Sequence, residues 1–441
     1  WLKVYEFIWF PTLCMMRNGD ERSKPMEVPT EAADKKELVP RKSKPRIDCI
    51  DGCRFALVMP IVIGHFVKFG TNKPWLLKLL TQENVLVGGC FVISGYVMGY
   101  VSTKMGERSH DEKKLADPEL FFWQKVMSYY PLHFAVSTAF APLFITVDRW
   151  YKTPWRTTGF HAFLNYTMLQ AWFPSEAEIW NPPTWFLSAL TFSNMTMPSI
   201  VLPQVAKLSK DGLQKLIYGL SAISLLQKLS YSQAWQFNCR GNWICPPKEP
   251  FLWNVTRFHP FSTLMEVIMG VAAVRGVMLD TTDGPTKSTN PIWCFLASYA
   301  SLGLRLTRLN LNDAMIRSTF FVPLYLAFLK QMHRDCLTDR PAAITRFFGS
   351  KTMSWLGSLA FPMFILHGCI GQVFYKKAIA LRLWGRVQPK IFFPIYLLIV
   401  LFSSHLMNEH FVKNRAVQER ASRVAQFLAS STRGALRDTT A

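Results

Sequence analysis

Two ionisable residues at the ends of one apolar run pose the first chemical question. The stretch from Asp51 to Phe66 reads DGCRFALVMPIVIGHF, with Arg54 near its start and His65 near its end, eleven positions apart and no charge between them. A helix turns once per ~3.6 residues, so both fall on nearly the same face, about 16 Å apart at ~1.5 Å rise per residue. A guanidinium recognises phosphates and carboxylates. An imidazole, with a reference pKa of ~6.5, takes and returns protons near neutrality. With Arg54 at a membrane surface, His65 is expected about halfway through a hydrocarbon core of ~30 Å. An ionisable group inside a span costs about 3 kcal/mol on insertion scales and is a functional candidate for that reason. Each residue also has a plainer reading. Arg54 is then an interface anchor with its charge among the headgroups, and His65 a neutral ring hydrogen-bonded in the bundle.

The elements that must position them are helices in a membrane. Of 441 residues, 50% are hydrophobic, 14% aromatic and 18% charged, below the roughly 25% charge of soluble domains. Long apolar runs recur from residue 55 to about 410 without strict alternation, which excludes a β-barrel. The expected fold is all-α and polytopic, with about ten transmembrane helices: 54–70, 84–103, 126–147, 185–203, 214–230, 259–279, 291–306, 317–332, 353–375 and 390–409. The apolar stretch 160–173 is too short to cross and is expected as a re-entrant or interfacial piece. Residues 1–45 form a polar tail, largely disordered and cytoplasmic. The membrane domain covers 46–412. A basic tail, 413–441, is also cytoplasmic, and within it 413–435 reads either as a basic amphipathic helix on the inner leaflet or as disorder. The chain opens on Trp1 rather than Met, so upstream sequence is expected.

The charge, 50 Lys and Arg against 29 Asp and Glu, is +21. No nucleic-acid motif accompanies it, and basic cytoplasmic loops account for it. With the N-terminus inside, ten crossings place the basic C-terminal tail inside and the loop 231–257 outside. That loop carries Cys239, Cys245 and the sequon Asn254-Val-Thr, so a disulfide and a glycan both fit there. Asn165 and Asn194 also begin sequons. Nine cysteines without a CxxC pair or a His/Cys cluster give no expectation of a metal.

Several motifs follow in order along the chain. They are Arg46-x4-Asp51-Gly52-x-Arg54-x10-His65 and Phe91-Val-Ile-Ser94-Gly95-Tyr96. Then come Phe122-Trp-Gln-Lys125-Val-Met-Ser128-Tyr-Tyr-Pro131-Leu-His133 and Asn181-Pro-Pro-Thr-Trp185-Phe-Leu-Ser188. Arg257 with Glu266-Val-Ile-Met-Gly270, and Phe361-Pro-Met-Phe-Ile-Leu-His367, complete the series. This succession resembles the acyltransferase-3 family of membrane-bound O-acyltransferases, related to bacterial enzymes that acetylate surface polysaccharides. The sequence departs from the family pattern at two places. Of the loop arginines only Lys125 remains basic, and the acid that often closes the Trp-Ser-Leu signature is replaced by Leu190.

The resemblance implies transfer of an acyl group, acetyl above all, from acyl-CoA as co-substrate to a hydroxyl of a carbohydrate, glycolipid or similar acceptor. No permanently bound cofactor, metal or nucleic acid is implied. His65 and Arg54 are then the catalytic pair. Asp51, Lys125, Trp185, Ser188, Arg257, Glu266 and His367 line the substrate path. Acyl-CoA would enter from the cytoplasm past Arg54 and Lys125, and the acceptor from the opposite side near Trp185 and His367. His133 matches the pattern too and has an equal reading as an interface residue. The protein is expected to be multi-pass, in the plasma membrane or an endomembrane. A transporter stays open, because midplane ionisable groups are common there. A non-catalytic lipid- or partner-binding member stays open because of Leu190 and the missing arginines.

Overall fold

A computed structural model describes residues 47–102, 117–233, 250–282, 289–307, 311, 313–385 and 390–440. Among these residues there is no strand. The tail 1–45, Cys239 and Cys245 lie outside the described residues. The first half contains α1 (Asp48–Gly70), α2 (Pro74–Leu80), α3 (Glu83–Ser102), α4 (Pro118–Trp150), α5 (Trp155–Thr167), α6 (Trp185–Thr196), α7 (Leu202–Lys207) and α8 (Lys210–Gln233). The second half contains α9 (Pro250–Phe258), α10 (Pro260–Thr282), α11 (Ile292–Ala300), α12 (Asp313–Ile316), α13 (Val322–Cys336), α14 (Ala343–Phe348), α15 (Lys351–Tyr375), α16 (Lys377–Trp384), α17 (Phe392–Met407) and α18 (Arg415–Thr440).

Among the described residues, six helical stretches are long and apolar enough to cross a membrane: Asp48–Gly70, Pro74–Ser102, Pro118–Trp150, Asn254–Asp280, Lys351–Tyr375 and Phe392–Val412. The other four expected spans are helical but differ in kind. A π turn, Met197–Val201, joins α6 to α7, and another, Arg317–Phe321, joins α12 to α13. Helix α8 carries Lys228, and Ile292–Leu306 is a shorter apolar helix. Lys228 in 214–230 and Arg317 in 317–332 bring charge into the bundle, whereas 185–203 carries polar but no charged residues and 291–306 is short. The stretch 160–173 is not a crossing. It folds as the end of 13-residue α5, a left-handed turn at Met168 and 3₁₀ turns at Gln170–Trp172 and Pro174–Glu176.

Lipid gives helices little hydrophobic reason to associate, so close approach depends on small residues. Helices α1 and α15 run parallel. The space beside Gly357 is filled by the Asp51 carbonyl, that beside Gly52 by the Phe348 carbonyl, and that beside Gly371 by the Phe66 ring. Helices α3 and α10 cross in the same manner. The Val267 carbonyl fills the place of a Cβ on Gly95, and the Val92 carbonyl that of a Cβ on Gly270. The Ser94-Gly95 motif is thus a crossing point, with Ser94 Oγ donating to the Cys90 carbonyl at 2.8 Å.

Pro60 lies inside α1 and removes the amide that would bond the Ala56 carbonyl. Tyr299 Oη donates to that carbonyl at 2.9 Å, so the helix continues with its backbone satisfied. Helix α4 starts on Asp117, which accepts from the Leu120 amide at 3.0 Å, with Pro118 at its first position.

The basic C-terminal segment packs on protein. Ala421, Ala425 and Ala429 of α18 are buried at helical spacing, and α18 lies against α4. Trp123 Nε1 donates to Thr432 Oγ1 at 3.2 Å, and Arg433 pairs with Asp117 at 3.1 Å. The sequon residues Asn165 and Asn194 are buried, which bars a glycan. Asn254 lies half-buried in α9.

Gly95→Val should cost at least the ~1–3 kcal/mol of overpacking, because its neighbour is backbone and cannot swing aside. Gly219→Ala, where nothing lies within 4 Å, should be tolerated. Thermal unfolding of both variants in detergent checks the contrast.

Candidate functional site

The parallel packing of α1 and α15 brings two imidazoles together. The rings of His65 and His367 lie edge to face, with centroids 5.0 Å apart and planes at 65°. His65 Nδ1 is 2.9 Å from the Ile61 carbonyl, and His367 Nδ1 is 3.0 Å from the Met363 carbonyl. A carbonyl oxygen only accepts, so both Nδ1 atoms carry the proton and both Nε2 atoms keep a lone pair. His367 is fully buried, and its Nε2 has no hydrogen-bond partner among the described residues. His65 is partly exposed. The pair therefore presents two proton acceptors in one place, one sealed and one reachable.

His65 is the eighteenth of the 23 residues of α1. By helical rise it stands about 25 Å from Asp48 but only about 8 Å from Gly70. Arg54 stands six residues from the start of the helix and His65 five from its end, so the pair is centred on α1.

Aromatic rings enclose the imidazoles. Phe66 packs on Tyr375 at 5.5 Å and on Tyr396 at 5.1 Å. Tyr396 Oη donates to the Val62 carbonyl at 3.3 Å, tying α17 to α1. From His367 a run of rings leads through Phe364 at 6.0 Å, Phe186 at 5.2 Å and Phe91 at 4.4 Å to Trp185 at 5.9 Å. Trp185 meets Phe258 at 4.7 Å, beside Arg257. The Asn181-Pro-Pro-Thr turn docks on the same part of α15, with Asn181 Nδ2 donating to the Ile365 carbonyl at 3.0 Å. Trp185, Arg257 and His367 thus belong to one side of the bundle.

Arg54 lies at the other end of α1. Its Nη1 donates to Asp51 Oδ1 at 2.6 Å, and the guanidinium side chain is only 3% exposed. The reading as an anchor with its charge among headgroups is therefore corrected: the charge is inside the bundle and Asp51 holds it. Lys125 is also buried, with Nζ 5.3 Å from the Phe121 ring centre. A cavity of about 490 Å³ is lined by Asn290, Asp335, Thr338, Asp339, Arg340 and Ala342. Asp335 closes α13, and neither Arg54, His65 nor His367 lines this cavity.

Glu266 is held apart from both places. Arg317 grips it with two parallel bonds, Nε to Oε1 at 2.7 Å and Nη2 to Oε2 at 2.5 Å, and reaches Asn84 Oδ1 through Nη1 at 2.7 Å. Lys228 Nζ is 3.6 Å from Glu266 Oε1. Arg257, which the motif pairs with Glu266, has Glu178 at 3.9 Å instead. The network ties α3, α8 and α10 to the π turn that starts at Arg317. The extra residue of such a turn re-aims a side chain, as happens often at functional sites. Ser188 is buried, and its Oγ accepts from the Ala171 amide at 3.1 Å, which supports the 3₁₀ turn at 170–172. His133 is fully buried, and its Nε2 bonds the Asn165 carbonyl at 2.9 Å.

A family model described as an acyltransferase domain, Acyl_transf_3, matches residues 47–408. The chain belongs to the acyltransferase-3 family. The match takes in every candidate residue and ends before α18. Comparisons with curated proteins and with solved structures give no match. Within this acyltransferase-3 chain, Leu190 is fully buried in the apolar core, so no acid occupies the place of the signature carboxylate.

Four residues escaped the sequence reading: the buried Arg317, Lys228 and Asn84, and the half-buried Glu83. Each stands at or near an expected span end, where a polar residue ordinarily faces headgroups. Only packing shows that they turn inward.

Arg317→Met should destabilise the protein by about 3–5 kcal/mol, because Glu266 is left as a buried carboxylate with one distant cation. Unfolding midpoints of the detergent-solubilised variant against the unmodified protein measure this.

Proposed function

We propose that this membrane acyltransferase moves an acyl group, acetyl above all, from acyl-CoA to a hydroxyl of a carbohydrate, glycolipid or similar acceptor, with His65 as general base. The observation that carries the reading is the imidazole pair whose Nδ1 protons are fixed on backbone carbonyls, leaving Nε2 as the acceptor. A base with its tautomer set in advance needs no rearrangement before taking the hydroxyl proton.

The sequence of events is short. CoA phosphates meet Arg54 and Lys125 at the Asp48 end of α1, which is cytosolic in this reading, as are both termini of a ten-crossing chain. The span of about 16 Å from Arg54 to His65 suits an extended pantetheine arm that delivers the thioester to the imidazole. The acceptor comes from the opposite face, past Trp185 and Arg257. His65 Nε2 takes the hydroxyl proton as the oxygen bonds the acyl carbon. The carbon–sulfur bond breaks, and the thiolate recovers the proton from the imidazolium. The buried polar residues Asp51, Ser188 and Glu266 hold helices and turns in register rather than touch substrate in this scheme. His367 presses on His65 and sets its orientation. No metal or resident cofactor takes part. The protein resides in the plasma membrane or an endomembrane.

Isotope-labelled acetyl-CoA supplied to the purified protein tests the proposal. Turnover is expected in the unmodified protein, with a loss of about 10²–10⁴-fold in His65→Ala, the usual worth of a general base. Donor binding without turnover in the unmodified protein identifies a non-catalytic member. Solute flux without acyl transfer identifies a transporter.

A further inference from the structure

We infer that Glu83, at the start of α3, is an anionic positioning residue for the His65 centre, holding the imidazolium that forms when His65 accepts the acceptor's proton. The inference rests on the acyl-transfer reading above.

Gly64, next to His65, is the point of contact. A Cβ built on Gly64 would stand 2.6 Å from Glu83 Oε1 and 2.9 Å from its Cδ, so the carboxyl lies directly against the α1 backbone at the residue before His65. His65 is close enough to act electrostatically on the Glu83 carboxyl. Arg257 and Asp313 follow as weaker contributions of opposite sign. Among the described residues Glu83 has no cation within 4 Å, so no cation neutralises it directly. The ring nitrogen that a catalytic triad gives to its acid is already taken here: Nδ1 bonds the Ile61 carbonyl. Glu83 therefore does not set the tautomer. It acts on the charge that appears after proton transfer.

The proton balance makes the requirement explicit. The acceptor hydroxyl loses H⁺ to His65 Nε2, its oxygen forms the new bond to the acyl carbon, and the thiolate leaves and takes the same H⁺ back. Between those events the site carries an imidazolium in a medium that solvates cations poorly, and an adjacent carboxylate stabilises it. His367 from α15 packs on the His65 ring, and Glu83 from α3 stands against the neighbouring Gly64, with Arg257 from α9 and Asp313 from α12 acting on Glu83. His367 is buried with a bare Nε2 and brings no negative charge. Glu83 is the acid in contact with the α1 backbone at Gly64, one residue before His65. A carboxylate in the first turn of a helix also suits the helix dipole, and a purely structural acid of that kind would leave the pH dependence of turnover unchanged.

The pH dependence of labelled acetyl-CoA turnover, with water as acceptor, separates the two. It is measured on the full-length purified protein and on Glu83→Gln and Glu83→Asp. Losing the anion makes protonation of the imidazole harder, so the acidic limb of the rate profile moves to lower pH. Glu83→Gln should shift the midpoint down by about 0.5–1 pH unit and lower the maximal rate about tenfold or more. Glu83→Asp, which keeps the charge but withdraws it by one methylene, should shift it less in the same direction. A Glu83→Gln profile with the unmodified midpoint overturns the inference. Should Glu83→Gln not fold, Glu83→Asp decides alone, and an unmodified midpoint there has the same consequence. Full turnover in His65→Ala overturns the acyl-transfer reading itself, whatever the Glu83 variants do.

Discussion

The contact on which the site depends is between backbones. Where α1 and α15 touch, the Asp51 carbonyl occupies the space of the side chain that Gly357 lacks, and the Phe66 ring that of Gly371. In lipid, apolar side chains gain little by leaving solvent of the same polarity, so helices are held by close van der Waals contact and by polar groups that must find partners. Two glycines half a helix apart fix both the distance and the rotation of α1 on α15. That rotation turns His65 onto His367 and puts Arg54 under cover. Larger residues at either glycine would separate the helices and the imidazoles together.

The second constraint is the burial of charge. A lone ion inside such a bundle is strongly unfavourable, and a pair is tolerated when its geometry is good. Arg317 meets this with a bidentate grip on Glu266 and a third bond to Asn84, and Lys228 stands behind. The network joins helices that are distant in the chain, at positions 84, 228, 266 and 317. Its members are kept from solvent and from the imidazole pair, which suits a structural tie better than substrate contact. Arg54 and Asp51 repeat the principle on a single helix turn at the other end of α1.

These constraints give the protein a division of labour along α1. One end holds a covered guanidinium. The other holds an imidazole whose Nδ1 is tied to the backbone, near a carboxyl on α3 and a run of aromatic rings leading to Trp185. Membership of the acyltransferase-3 family supplies the reaction class. The cation and the imidazole pair lie at opposite ends of α1, with buried aromatic rings leading from His367 to Trp185.

The sequence by itself determined the helical membrane class, because long apolar runs without alternation leave the backbone no other way to satisfy its hydrogen bonds. It determined the family through six short motifs in order, and the shared face of Arg54 and His65 through helical periodicity alone. The tertiary structure decided the rest. That His65 meets His367, 302 positions away, that Glu266 is gripped by Arg317 rather than Arg257, and that Glu83 turns inward against Gly64 all depend on which helices become neighbours. Periodicity gives the direction of a side chain from its own axis. It carries no information on the axis it faces, and a charge at a span end reads the same whether it reaches for headgroups or for a partner in the core.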